Sequence, residues 1–483
     1  MQSSRLFARA AGDLSPNAFA RTTSSELLRT FGPAPQHRFD GDGDAADENL
    51  VPGVWAHREG VNALTVDKFD GRMMLSGGAD GTIKLWDLND CGNPHMQHTF
   101  RPRARAVRVL REEEAEEGHR HGVTHLSFYP FDADAFLSSS FDRTLKLWST
   151  TRMSVSASFP INSTIYSHAT SPVADHLLVA CATQHSAVRL VDLRSGSALQ
   201  SLVAHGGAVL SVAWSPRHEH TLASGHVDGR VRIWDVRRAG GAVAMLDQED
   251  SLGVIHRFEH AVASGQTWTG ARHSRASARA HDDGVNGLCW TDDGKFIVSA
   301  GLDRRIRVWN AATGANTLAS FGSSIQNRQA GSVCMFASPG SCARGGGDLL
   351  FWPNEQEILI MDLHEGTLVT RLKVPGAAAG APTSSSQGGG LNARNRTMAM
   401  AWRGAGGQGL QTGTVMGGGS SYGALYTAHL DGQIRAWMPR LPGPDDDDPT
   451  EDPQDEDEVV RQRKRKAVDD AYKSLMGRQV TFS

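Results

Sequence analysis

Ser, His and Asp recur together four times in this chain, and that trio activates a hydroxyl for nucleophilic attack in acyl-transfer enzymes. The sets are His57, Ser76 and Asp80; His119, Ser138 and Asp142; His205, Ser224 and Asp228; and His281, Ser299 and Asp303. Each is completed by a tryptophan at fixed distance. Trp86, Trp148, Trp234 and Trp309 stand six residues after the Asp, ten after the Ser and 28 or 29 after the His. A fifth set, Thr427, Asp431 and Trp437, replaces Ser by Thr and lacks the His. Catalysis needs one such site, whereas four near-copies at one spacing need a structural account. An Asp in a tight turn holding the His ring, with a bond chain through Ser to the indole N–H, satisfies every polar group in a buried unit. The tetrads are therefore read as structural, and no catalytic residue, metal ligand or cofactor is assigned.

A tetrad repeated at this period resembles the WD repeat, in which one unit builds one four-stranded propeller blade. Thr82–Trp86 and Arg230–Trp234 alternate polar and apolar residues, the pattern of half-buried strands. Two degenerate units end at Val191-Asp192 and Met361-Asp362, which brings the number of blades to seven. The expected fold is all-β: a seven-bladed WD40 β-propeller over residues 50–440, with Leu50–Ala56 as the strand that closes the ring and hides its edges. Steps longer than 43 residues between blades imply insertions at Arg101–Gly118, Gln248–Ala280 and Pro375–Arg396, which share one face, and at Arg403–Ser421, which falls on the other. The last spells G-x-G-x-x-G at Gly404–Gly409, but without a βαβ context the match carries no nucleotide chemistry. Glu112, Glu113, Glu114 and Trp268 lie in the insertions and are possible contacts on the loop face.

The flanks differ from the repeats. Residues 1–31 read as a short helix-loop-helix with an apolar stripe of Leu6, Phe7, Ala10, Leu14, Leu27 and Leu28, a Ser15-Pro16 start and a Thr23–Glu26 capping box. Gly32-Pro33 ends it, and residues 32–49 form an acidic linker. Residues 441–483 form a charged tail expected to be disordered, with ten acids in Asp445–Glu458 and five cations in Arg461–Lys466. The second block fits a nuclear import signal. Net charge is −4, so nothing global points to nucleic acid or membrane. Five scattered cysteines read as reduced thiols, and no apolar run approaches a membrane span. The chain is expected to be intracellular and soluble.

Trp234-Asp235-Val236-Arg237 spells W-D-x-R, which resembles the box of WD-repeat substrate receptors of cullin-4-type ubiquitin ligases. In that family the Arg and an N-terminal helix-loop-helix dock on the damage-binding adaptor protein; carried over, Arg237 and the apolar residues of 1–31 would bind it. Residues 61–88, 136–148, 164–180, 208–241 and 285–318, above all the phrase IYSHATSP, resemble the Cockayne syndrome group A family. That resemblance implies a non-catalytic, nuclear substrate receptor in transcription-coupled nucleotide excision repair. Its implied partners are the cullin-4 adaptor, the RNA polymerase II-associated repair ATPase and the stalled polymerase, with no membrane and no direct sequence-specific DNA binding. The alternative is a non-ligase WD40 scaffold that reads chromatin or basic peptides through acidic loops.

Overall fold

The computed structural model describes residues 3–13, 30–41, 55–91, 96–110, 117–196, 198–238, 241–248, 279–338, 348–373, 395–403 and 423–439. They form a seven-bladed, all-β propeller. Blade 1 comprises Val61–Val66, Met73–Gly78, Ile83–Asp87 and Pro102–Ala106; blade 2, Val123–Tyr129, Asp132–Ser140, Thr144–Ser149 and Ser154–Pro160. Blade 3 runs from Ile165 to Val203 and blade 4 from Val209 to Leu246, each with four strands, and blade 5 has three between Val285 and Asn310. Blade 6 spans Phe336 to Lys373. Blade 7 joins Thr397–Arg403, Ala424–His429 and Ile434–Pro439 to a strand from the other end of the chain, Phe31–Pro33. Within every blade, neighbouring strands are antiparallel.

The core lies between blades. Ala63, Leu75 and Leu85 of blade 1 pack with Val123, Leu126, Phe136 and Trp148 of blade 2, and Val188 and Leu190 of blade 3 pack with Trp214 and Trp234 of blade 4. Each strand thus buries its alternate residues against a neighbouring sheet rather than in one central core. One blade cannot bury its own apolar face, so the ring must close.

Closure corrects two expectations. Phe31, Gly32 and Pro33 pair with Pro439, Met438 and Trp437, so these residues, not Leu50–Ala56, supply the outermost strand of blade 7. Phe31 stacks on Trp402 with ring centroids 5.7 Å apart, which anchors this strand. Pro33 lacks a ladder donor, which an outermost strand tolerates. Gly32-Pro33 reads in the sequence as a helix stop, because the same residues that end helices also mark sheet edges. The stretch 32–49, expected to be a linker, likewise belongs to the propeller as far as it is described: His37–Phe39 pairs in parallel with His98–Phe100. Phe39 is buried against Trp86, Phe100 and Tyr426. Nor is Arg101–Gly118 wholly an insertion, because Pro102–Ala106 is blade 1's outer strand.

Of the N-terminal segment, Ser3–Ala11 is a helix, on which Phe7 is 73% exposed and Ala10 is also exposed. Leu14, Leu27, Leu28, Glu112, Glu113, Glu114, Trp268 and the tail 441–483 lie outside the described residues, as do the side-chain surroundings of Leu6. No helix among the described residues is long and apolar enough to cross a membrane.

Candidate functional site

The Ser, His, Asp and Trp residues meet within single blades. In blade 2, Trp148 Nε1–H donates to Ser138 Oγ at 2.6 Å, Ser138 lies 2.6 Å from His119 Nε2, and His119 Nδ1 lies 2.8 Å from Asp142 Oδ2. One tautomer satisfies all three bonds: Ser138 donates to Nε2, and the proton on Nδ1 goes to the carboxylate. Burial lowers His119, so its ring is neutral. Burial alone would raise Asp142, but bonds from His119, Thr144 and the Arg120 backbone together hold its carboxyl below the usual range. Ser138 and Trp148 are buried, with no opening for a substrate. The hydroxyl that a hydrolase would need as nucleophile is spent as a relay between indole and imidazole.

Blades 1 and 5 repeat the arrangement. His57 Nε2 is 2.7 Å from Ser76 Oγ, and Trp86 Nε1 donates to that oxygen at 2.9 Å. Here Thr82 takes part: its hydroxyl donates to Asp80 at 2.7 Å and accepts from His57 Nδ1 at 2.8 Å. In blade 5, His281 reaches Ser299 at 2.7 Å and Asp303 at 3.0 Å, and Trp309 closes on Ser299 at 2.9 Å.

Blade 4 corrects the expected set. His205 is exposed, and His226, two residues after Ser224, fills its place with Nε2 2.8 Å from Ser224 Oγ. Trp234 Nε1 still donates to Ser224, at 2.7 Å. Asp228 pairs instead with Arg232 at 2.8 Å. The spacing that singled out His205 marks only the loop position. Gly206 follows it, and a Cβ there would fall 2.0 Å from Asp228 Oδ2, so chain rather than an imidazole fills the space beside the Asp. Blade 7 uses the same device. His429 bridges Thr427 Oγ1 at 2.8 Å and the Asn395 carbonyl at 3.0 Å, while Arg435 pairs with Asp431 at 2.6 Å. The missing fifth His was therefore present two residues after Thr427, a position that the spacing rule did not test.

Arg237 emerges after the third strand of blade 4, its side chain 65% exposed. Its Nε and Nη2 grip Asp235 Oδ1 at 3.0 Å and Oδ2 at 2.9 Å, and its backbone N–H also reaches Asp235. Arg72 clamps Asp87 of blade 1 in a similar way, with Nε at 2.9 Å from Oδ2. In this structure W-D-x-R makes an Asp turn that its own Arg closes. The phrase IYSHATSP also has a packing explanation. Ile165–Thr170 is the innermost strand of blade 3, and His168 on it bonds Ser127 at 2.8 Å and Ser139 at 3.0 Å across the seam with blade 2.

Residues 51–87, 111–149, 196–235 and 273–310 match the family model "WD domain, G-beta repeat". The chain is 31% identical over 316 residues to WD repeat-containing protein ATCSA-1 of Arabidopsis thaliana, covering 56% of this chain and 70% of that protein. It is 29% identical over 283 residues to ribosome biogenesis protein YTM1 of Phaeosphaeria nodorum, and 25% identical over 260 residues to ribosome biogenesis protein WDR12 homolog of Drosophila persimilis. Those matches cover 54% and 53% of this chain, and the chain spans only 56% and 52% of the two ribosome biogenesis proteins. These relatives overturn the Cockayne syndrome group A assignment, and with it the cullin-4 adaptor, the repair ATPase and the stalled polymerase as partners. The segments behind that assignment are strands and tetrads, whose residues are dictated by blade packing and so identify the repeat rather than its client. Its WD repeats and its ribosome biogenesis relatives mark the propeller as a non-catalytic scaffold. The chain belongs to the WD-repeat family.

Proposed function

We propose that this protein is a nuclear WD40 scaffold of ribosome biogenesis, holding pre-ribosomal components together through the faces of its propeller. The reading rests on the similarity to the YTM1 and WDR12 proteins, which extends across about half of this chain. It agrees with the chemistry of the tetrads, which engage their hydroxyl and imidazole groups inside the blades and leave turns and loops to make contacts. A rigid disc with many independent loops raises the effective concentration of the partners that it gathers, and so speeds their assembly without bond chemistry of its own. Nuclear residence is part of this proposal, and Arg461–Lys466 is the segment that would carry import. Tagging the chain at its chromosomal locus and sedimenting nuclear extract on a sucrose gradient tests the proposal. The chain should migrate with pre-ribosomal particles and return to the top after nuclease treatment. Migration as a small free species before treatment would overturn it.

A further inference from the structure

The turns that carry the tetrad Asp residues share one backbone pattern. The residue after the Asp donates its N–H to the carbonyl three residues back at 3.2 Å in five blades: Gly81, Arg143, Gly229, Arg304 and Gly432. All five have positive φ, 77°, 68°, 79°, 60° and 83° in that order. Glycine suits this region, and an L side chain adopts it seldom. The three glycines have a second reason. A Cβ on Gly81 would lie 3.2 Å from the His121 carbonyl, on Gly229 2.2 Å from the His281 carbonyl, and on Gly432 2.6 Å from the His57 carbonyl. Each such turn presses on the loop of the following blade that bears, or adjoins, a tetrad His.

Blades 2 and 5 are followed by the degenerate blades 3 and 6, which have no tetrad His at that loop. At these two seams, and not at the other three, the glycine is replaced by arginine. Arg143 and Arg304 are exposed, as is Arg305. The adjacent carboxylates make their hydrogen bonds elsewhere, Asp142 with His119 and Thr144, and Asp303 with His281 and Arg307. The residue before each Asp adds an apolar element to the same face. Phe141, Val227 and Leu430 donate their N–H groups to Gly122, Ala208 and Arg396 at 3.0 to 3.1 Å, which fixes them in equivalent positions, and they are 49%, 47% and 40% exposed. Arg143, Arg304 and Arg305 thus place exposed cations on the same face as exposed apolar groups.

We propose that this face docks an acidic peptide segment of a partner protein, with carboxylates on Arg143, Arg304 and Arg305 and apolar side chains on Phe141, Val227 and Leu430. The inference rests on reading the chain as a scaffold, and it names the chemistry of one partner. Guanidinium forks match carboxylate geometry. Two of the three apolar groups are aliphatic, which favours peptide side chains over nucleobases, since bases need aromatic faces for stacking.

The test is fluorescence anisotropy with the purified full chain and a labelled peptide of repeated Glu-Asp-Leu-Phe units. Poly(U) RNA and a peptide with Lys in place of the acids serve as competitors. The double variant Arg143→Gly, Arg304→Gly adopts the residue of the sister turns, so it should fold at least as well, as a thermal melt will confirm. It should bind the acidic peptide at least about tenfold more weakly. Phe141→Ser should also weaken binding, and added salt should weaken binding of the wild type. Equal affinity in wild type and double variant, or RNA binding without peptide binding, overturns the proposal. Gradient sedimentation separates it from the broader reading. A wild-type chain that joins pre-ribosomal particles yet ignores the peptide overturns this surface alone. One that binds the peptide, with the arginine dependence, but joins no particle supports the surface and overturns the ribosomal setting.

Discussion

Two polar groups converge on the hydroxyl of Ser138, and each would be left without a partner if it were removed. Ser138→Ala strands the indole N–H of Trp148 and the Nε2 of His119 in a fully buried site. An unsatisfied buried group costs about 1–3 kcal/mol, so the melting temperature should drop by several degrees. His205→Ala and His226→Ala make a sharper pair. The exposed His205 should be replaceable with little change, while loss of the buried His226 should destabilise the protein measurably. The reverse ranking in chemical denaturation would contradict the tetrad described for blade 4. Asp and Trp were legible in the sequence because a tight turn and one strand length fix their separation. The histidine was not, because two routes lead an imidazole to the same serine: from the preceding loop or from two residues along the same strand. A closely packed pair of histidines gives a pH dependence. His125 and His168 lie edge to face at 4.6 Å; burial pushes His125 down to about 4 and His168 well below its ordinary value. The unfolded chain takes up these protons near pH 6.5 and the folded one does not, so stability should fall as pH drops from about 6.5 toward 4. In His125→Phe the slope of melting temperature against pH should flatten across that window; an unchanged slope would show that the pair contributes nothing.

Among the elements, the strand Phe31–Pro33 has the largest consequence. It joins the first described strand of the chain to the last, and Phe31 packs with Phe351, Trp402 and Trp437 beneath it. Removing residues 1–29 should leave the melting transition of the propeller near that of the full chain. Removal through Gly41 takes away Phe31, Phe39 and the carbonyl of Gly41, which accepts from the buried Lys84 Nζ at 3.2 Å. That truncation should lower the transition by many degrees or leave an insoluble product, since an exposed sheet edge invites aggregation. Equal stability of both truncations, measured by calorimetry, would contradict closure by this strand. The seven-blade count was legible even for the two units without tetrads, because Val188–Leu193 and Ile358–Leu363 keep a strand's apolar run. The closing strand was hidden because three residues carry no periodicity, and Gly-Pro reads equally well as a helix stop or an edge. Its identity depends on which aromatic residues lie beside it, which is information about distant parts of the chain.

At the scale of the whole molecule, the repeats made the fold plain and left the client open. Residues that recur in every blade are fixed by packing, so a likeness built on them points to the propeller and to many proteins that share it. Client-specific residues lie in turns and loops, such as Arg143 and Arg304, whose meaning emerges only once neighbouring blades show why glycine is absent there. The central claim, a non-catalytic scaffold in ribosome biogenesis, is tested most directly by depleting the protein in its own cells and following pulse-labelled ribosomal RNA. The account predicts that precursor RNA accumulates and mature RNA appears more slowly, with rescue by re-expressed full chain. Precursor processing at the normal rate after complete depletion would contradict it.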